Sequence, residues 1–363
     1  MKNRKRVMVA MSGGLDSSLS AAILKKKGFD VIGATMKLWP EEECAKDKDV
    51  RACCSTSAIS DARSVAARIG IPYYVFDFSR EFEKNVIDYF CREYNRGATP
   101  NPCILCNQIL KFDTLLKKTR ELSCDYIATG HYANIGYNRL NRRYYVKEGK
   151  DKAKDQSYFL AFVSQKALSQ TIFPLGGLTK KRARILAKKM GLKVHNKVSS
   201  QEICFVDEHY VDYLKRKGAI TSGEGDIFNT RGERIGRHKG IHFYTIGQRK
   251  GLGVAHKKPL YVVRIDKAKN AVIAGTREEV RKRVFVVSEP SWMAMGGIKR
   301  PTKFLTKIRY GHKKAPAVVE KAENGELRVT FKSPQEAITP GQAAVFYKRD
   351  VVMGSAWISR VLE

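Results

Sequence analysis

No apolar run in the chain approaches the roughly 18–20 residues needed to span a bilayer, so no membrane partner is expected. The start, MKNRKR, is basic, but the apolar stretch VMVAM is broken at once by SGGLDSS and no cleavage pattern follows, so no signal peptide is expected. A cytoplasmic, reducing setting is expected, where the eight cysteines are reactive, metal-binding or buried rather than stapled in disulfides. There is no internal repeat and no low-complexity linker. Acids are scarce: 36 Asp and Glu stand against 68 Lys and Arg, a formal net charge of +32 over 363 residues. That imbalance points to a polyanionic partner, because each phosphate neutralised releases condensed counterions.

The length suggests two or three domains. Up to about residue 205 the pattern is α/β. Strands are expected at Arg6–Met11, Val31–Met36, Pro72–Phe76 and Asp125–Gly130, with helices at Ser17–Lys27 and Ser57–Ile69, closed by Gly28 and Gly70. Strands alternating with helices imply a doubly wound parallel sheet with its chemistry at the carboxyl edge. Beyond residue 205 glycine becomes frequent and strands short, as in GEGDIFNTRGERIGRHKG. After about residue 284, alternating segments at Lys303–Tyr310, Leu327–Phe331 and Ala343–Tyr347 read as a β-barrel. The expected division is 1–205, the α/β domain; 206–283, a small central domain; and 284–363, a C-terminal β-barrel.

Between the first strand and the first helix lies Ser12-Gly13-Gly14-Leu15-Asp16-Ser17-Ser18. Two glycines let the backbone turn tightly and approach a pyrophosphate without a Cβ in the way. The hydroxyls, the helix N-terminal N–H groups and the positive dipole end all favour an anion. Asp16 is placed to hold Mg²⁺ or to order the loop. No GKS or GKT follows, so this is not a Walker A loop. A capped strand-to-helix turn would also favour Ser and Gly.

Thr99-Pro100-Asn101-Pro102-Cys103-Ile104-Leu105-Cys106-Asn107 sets two thiols in a CxxC after a proline-stiffened turn. A helix expected to begin near Asn107 would lower the pKa of Cys106 through its dipole. Cys204, in SSQEICF, enters an apolar packing site from a polar loop. The alternative, half a structural zinc site, lacks a second CxxC or paired His at finger spacing. Cys53 and Cys54 are adjacent and cannot complete such a pattern, and Cys44, Cys91 and Cys124 read as small hydrophobes.

Two stretches carry most of the local charge. Arg139–Lys154 holds seven basic and two acidic residues around Tyr144 and Tyr145, and Arg231–Lys258 holds eight basic and one acidic. Interleaved aromatics and glycines favour phosphate contacts and base stacking over a merely solvated face. Lys180-Lys181-Arg182-Ala183-Arg184, by contrast, reads as a charged helix face exposed to water. His195, His209, His238, His242 and His256 form no recognisable metal set.

The ordered set SGGLDSS, TPNPCILCN, ATGHYA, KDQSYFL, FPLG, QEICFV, YTIGQRKGLG and TPGQAAVFY spans nearly the whole chain and resembles the tRNA-specific 2-thiouridylases, enzymes of the PP-loop ATP pyrophosphatase type. The loop alone fixes only the superfamily. The resemblance implies a PP-loop α/β domain followed by the two smaller domains, and ATP-dependent 2-thiolation of the wobble uridine of tRNA. Adenylation would turn the uracil 2-oxygen into a leaving group, and sulfur would displace it. By the same resemblance, Ala10, Met11, Ser12, Gly13, Gly14, Leu15, Asp16, Ser17 and Met36 bind ATP with Mg²⁺, and Gly130 shapes the pocket. Cys204 would carry a persulfide received from a sulfur-donor protein. Cys106 would release that sulfur by forming a disulfide with Cys204 or act as the resolving nucleophile. Asn101, Pro102 and Cys103 would surround the target base. His131, Lys154, Asp155, Gln156, Arg309, Tyr310 and Gln342 would contact tRNA.

One position departs from a common form of the family motif, which carries Asp where this chain has Cys103. Either Cys103 is a bystander, or Cys103, Cys106 and Cys204 ligate a 4Fe–4S cluster with one open iron. Two rival functions share parts of the pattern. Another PP-loop pyrophosphatase, such as an amidotransferase-like synthetase or a small-molecule adenylating ligase, would need neither the charge nor the thiol pair. An RNA-binding module with a degenerate loop would not need Ser12, Gly13, Gly14, Asp16 and Ser17 intact.

Overall fold

Val7, Met8 and Val9 are all fully buried, and they make β1 (Arg6–Ala10) the centre of a parallel sheet. A strand covered on both faces reads as a continuous apolar run, which is why it is legible without alternation. The computed structural model describes residues 4–39, 56–196, 203–206 and 210–362. Contacts divide the chain into two compact units. One comprises Met1–Val86, Cys103–Asp207 and Asp350–Val352; the other comprises Ile87–Pro102, Glu208–Arg349 and Met353–Glu363.

In the first unit β1 is followed by α1 (Leu15–Lys26), β2 (Asp30–Lys37), α2 (Thr56–Ile69) and β3 (Tyr73–Asp77). Further along come β4 (Tyr126–Ala128), the hairpin β5 (Ala133–Asn138) and β6 (Arg143–Glu148), β7 (Thr171–Ile172) and α3 (Lys180–Lys189). The sheet order is β3-β2-β1-β4-β7, all parallel, with the reversal of direction beside β1. Leu15, Leu19 and Ala22 of α1, Ala62 and Val65 of α2, and Ala183 and Ala187 of α3 share one core with β1 and β2. The expected doubly wound α/β domain is present. α1 begins at Leu15, two residues before the expected start, because Gly14 serves as its N-cap.

In the second unit β8 (Gly225–Asn229), β9 (Arg234–His238), β10 (Tyr261–Asp266) and β11 (Ala271–Gly275) form a sheet ordered β10-β11-β8-β9 around Ile227, Val262 and Val272. Six further strands are β12 (Arg281–Trp292), β13 (Thr302–Lys307), β14 (Ala315–Lys321), β15 (Leu327–Glu336), β16 (Ala343–Lys348) and β17 (Val351–Val361). They run β12-β15-β14-β13-β16-β17 and close through a β12–β17 pairing, so this part is a barrel without free edges. Phe285, Phe304, Phe331 and Phe346 fill its interior. No helix among the described residues is long and apolar enough to cross a membrane.

Candidate functional site

The loop after β1 lies where an open parallel sheet places its ligands, at the carboxyl ends of the strands beside the reversal of strand order. Met11 N–H donates to Ala34 O at 2.7 Å, and Thr35 Oγ1 donates to Met11 O at 2.7 Å, so the loop leaves the sheet at a fixed angle. Ser12 N–H donates to Ser17 Oγ at 3.1 Å, closing the turn on itself. Gly13 has φ +66°, and a Cβ there would lie 2.2 Å from Ala58 O, so no side chain fits. Gly14 caps α1 without a side chain to accept from the first-turn N–H groups, which suits a site meant to bind an anion. At Gly130 a Cβ would stand 2.8 Å from Asp16 C and Ser17 N, so the chain after β4 rests directly on the loop backbone. Met36 sits at the carboxyl end of β2, paired with Phe76.

Asp16 is not a solvated carboxylate. Lys180 Nζ donates to both of its oxygens, at 2.7 and 2.6 Å, and Tyr132 Oη donates to Oδ1 at 2.8 Å. Lys180 is 13% exposed, and its ammonium lies 5.6 Å from the Tyr132 ring centroid. The expectation that Lys180 belongs to a water-exposed helix face is therefore corrected. Its partner lies 164 residues away, and no local pattern reports such a pair. The burial of the Tyr132 hydroxyl, and then the neighbouring Asp16, raise its pKa, so it remains a hydrogen-bond donor. Both Asp16 oxygens being taken by an ammonium, the carboxylate does not fit the role of a Mg²⁺ ligand in this arrangement.

Segments next to the thiols pack on the chain that leaves β2 and β3 at their carboxyl ends. The helix carrying the CxxC begins at Pro102, not near Asn107, and runs through Cys106–Thr114 in π-helical form to Leu115–Glu121. Proline suits the first helical position, where its missing N–H is not needed. Cys106 consequently lies one turn inside the helix and not at its start, which corrects the expected position. Cys103, Cys106 and Cys204 are each half-buried. Phe205, next to Cys204, is buried against Phe82 and Trp39 with ring centroids 5.6 and 6.3 Å apart. Trp39 follows β2, and the Ser79–Phe82 turn that carries Phe82 packs on the Cys106–Thr114 segment. Among the described residues no three His, Cys, Asp or Glu side chains gather as metal ligands, so the three thiols do not fit the cluster reading. Cys44, Cys53, Cys54, His209 and the Ser199–Glu202 approach to Cys204 lie outside the described residues.

Asn107, which the motif reading passed over, is buried; its Nδ2 donates to Phe159 O at 3.1 Å and its Oδ1 accepts from Lys111 Nζ at 2.9 Å. His131 is buried between Phe112 and Phe173, with Nδ1 2.6 Å from Thr129 Oγ1. Burial, reinforced by Lys111, holds its pKa well below the usual imidazole range, so the ring is neutral. Of the Lys154–Gln156 segment, Asp155 is buried and accepts from Gly149 N–H, Ser157 N–H and Ser157 Oγ. Gln156 Oε1 accepts from Tyr132 N–H at 3.0 Å. Asp155 organises the segment from within, whereas Lys154 and Gln156 are half-buried.

In the second unit three distant motifs converge on a cleft of about 400 Å³. Thr99 precedes the CxxC helix, Thr245–Gly247 come from YTIGQ, and Gln342 comes from TPGQ. Gln342 Nε2 donates to Thr99 O at 2.9 Å and Pro100 O at 3.2 Å, directly before Asn101 and Pro102. Arg309 lines the same cleft, its guanidinium donating to Glu336 O at 2.8 Å and Ala337 O at 3.2 Å. Tyr310, next to it, is 39% exposed, with the Lys307 ammonium 5.6 Å from its ring centroid. The basic stretch at Arg139–Lys154 begins at the tip of the β5–β6 hairpin, runs along β6 and continues past it, and within the hairpin Tyr144 packs 4.6 Å from Tyr137.

Three family models match in succession: a tRNA methyl transferase HUP domain at residues 5–208, a tRNA methyl transferase PRC-barrel domain at 212–276, and an aminomethyltransferase β-barrel domain at 282–358. The chain is also similar to curated relatives along almost its full length. It is 46% identical to the tRNA-specific 2-thiouridylase MnmA of Acetivibrio thermocellus over 98% of this chain and 99% of that one. It is 47% identical to that of Symbiobacterium thermophilum, over 99% and 93% of the two chains. The corresponding protein of Clostridioides difficile is 44% identical over 99% of each. The methyltransferase wording of the domain models and the thiouridylase names differ; the relatives match over the whole length and at high identity.

Proposed function

Because the chain belongs to the tRNA-specific 2-thiouridylases, we propose that it replaces the 2-oxygen of a tRNA wobble uridine with sulfur at the expense of ATP. The observation that carries the reading is the nucleotide loop, where Gly13 and Gly130 leave no room for a side chain and the cap of α1 presents no side-chain acceptor. ATP supplies the AMP group that makes the uracil oxygen a leaving group. Residues Ala10–Ser17 and Met36 hold the nucleotide, with pyrophosphate at the start of α1.

The uracil 2-oxygen attacks the α-phosphate and pyrophosphate departs. The terminal sulfur of a Cys204 persulfide, loaded by a sulfur-donor protein, then attacks C2, and AMP leaves with the former uracil oxygen. Attack of the Cys106 thiolate on the Cys204 sulfur leaves the terminal sulfur on C2 and forms a Cys106–Cys204 disulfide, which a thiol reductant resets. His131, neutral and buried, serves as a positioning and hydrogen-bonding group and not as a cation. Lys154, Arg309, Tyr310 and Gln342 meet the RNA, while Asp155 and Gln156 shape the segment that presents Lys154. The first step requires ATP and tRNA but not the thiols.

The test is incubation of the chain with ATP, a persulfide donor and unmodified tRNA, with thiolation read as a retarded band in a mercury-containing gel. Cys106→Ser and Cys204→Ser should each abolish the band yet retain tRNA-dependent pyrophosphate release. Pyrophosphate release that ignores tRNA would favour another adenylating enzyme, and tRNA binding without ATP turnover would favour a binding module.

A further inference from the structure

The start of α3 is built against its own helix dipole. Thr179 caps it, accepting from Arg182 N–H at 3.2 Å, and its first turn carries Lys180, Lys181 and Arg182 with no acid. Cations at a helix N-terminus are unfavourable. The Asp151 carboxylate compensates in part by accepting from Lys180 N–H at 2.9 Å. A lysine used only to stabilise the fold would gain little from this position, since a half-buried ion pair roughly balances its own desolvation.

Its surroundings give the ammonium another use. The carboxylate it meets belongs to the second residue of α1, in the turn that presents N–H groups to an anion. Two of the three ammonium protons are directed at Asp16, so one donor is left for a further acceptor beside that turn. Gly130 packs on the backbone of Asp16 and Ser17, and Tyr132, two residues on, bonds to Asp16 Oδ1. Asp16 is therefore gripped from two sides, and the ammonium is positioned by fixed groups and not by a flexible stem alone.

We infer that Lys180 is a phosphate ligand of the nucleotide loop, with Asp16 and Tyr132 as the positioning residues that aim its ammonium at the β- and γ-phosphates. The inference rests on the nucleotide reading of Ser12–Ser17. Asp16 serves here as the lysine's holder, which explains why a loop that binds an anion carries a carboxylate in its first helical turn. Tyr132 links this pair to Gln156 through its backbone N–H.

Equilibrium binding of ATP and of AMP to the full chain separates the possibilities. In Lys180→Met, ATP binding should weaken by about tenfold or more, the size of one charge-assisted contact, while AMP binding changes by less than about twofold. Lys180→Arg should recover most of the loss. Equal weakening of ATP and AMP, or no weakening of either, would overturn the inference. A wild-type chain that does not prefer ATP over AMP would instead sink the nucleotide reading itself. Should Lys180→Met not fold, amine acylation of the wild-type chain decides: ATP should protect Lys180 and AMP should not, and equal labelling under both would reject the role.

Discussion

The start of α3 and the loop Arg249–Leu260 are both dense in positive charge, and they are built in opposite ways. At α3, Lys180 is nearly buried and its ammonium is fixed by Asp16 beneath the ring of Tyr132. At the loop, Arg249, Lys250, Lys257 and Lys258 are all exposed around a concavity whose lining contains no carboxylate. A held cation acts at hydrogen-bond range and discriminates geometry; solvated cations act over a Debye length of about 8–10 Å and are sensitive to salt. Charge density in sequence therefore reports that a polyanion is bound, and only burial and partners tell which cations take part in chemistry.

Two glycines with the same backbone angle sharpen the contrast most strongly. Gly13 and Gly253 both have φ +66°, but a Cβ at Gly13 would lie 2.2 Å from Ala58 O, whereas at Gly253 nothing stands within 4 Å. Alanine at either site carries about 1–2 kcal/mol of left-handed strain. At Gly13 the backbone must also move, adding about 1–3 kcal/mol and displacing the loop. Gly13→Ala should therefore lower the melting temperature by several degrees more than Gly253→Ala and remove ATP binding. Equal destabilisation by the two, with ATP affinity intact, would show that the crowding at Gly13 is relieved without effect on the loop.

Acid should separate the two units next. His238, His242 and His312 in the second unit all have lowered pKa values, each chiefly through burial, with His312 brought down to about 4. Among the described residues of the first unit, only His131 shows such a shift. Below pH ~6.5 the unfolded chain binds these protons and the native chain does not, so stability is complete above that pH and falls as pH drops towards the native values. For His312 the loss is at most ~3 kcal/mol, reduced by its partial exposure to solvent. Protection against hydrogen exchange, corrected for the intrinsic pH dependence of the amides, should fall between pH 7 and 5 in β14 and β15, and His312→Gln should reduce that fall there while leaving β1 and β4 unchanged. An equal effect of His312→Gln in both units, or none in either, would contradict the assignment.

How much of this was legible follows from the range of the interactions. The β1–loop–α1 unit could be read within two residues because burial on both faces, glycine freedom and capping are local. The CxxC helix starts five residues before the expected Asn107, because Pro102 is suited to a first helical turn. Lys180 reads in sequence as part of a charged helix face because its partner is 164 residues away, although three cations against a helix dipole call for compensation. The inward turn of Asp155 left no trace at all, because a carboxylate serving backbone N–H groups looks in sequence like any surface acid.

The smallest expected effect tests the solvated side of the comparison. If Arg249 and Lys250 attract RNA by charge alone, replacing both by alanine should weaken tRNA binding by about tenfold at low salt and reduce the slope of log affinity against log salt by about 2. ATP affinity should not change, since neither residue belongs to the nucleotide loop. Charge reversal at Arg142 and Arg143, on the β5–β6 hairpin, should flatten the same slope through a separate set of phosphates. Changes at sites with no shared partners should add, so combining the two pairs should give the sum of the separate slope changes. A slope that stays at the wild-type value in either pair would remove that stretch from the RNA-binding surface, and a change in ATP affinity would mean that its cations are held for chemistry, as at Lys180.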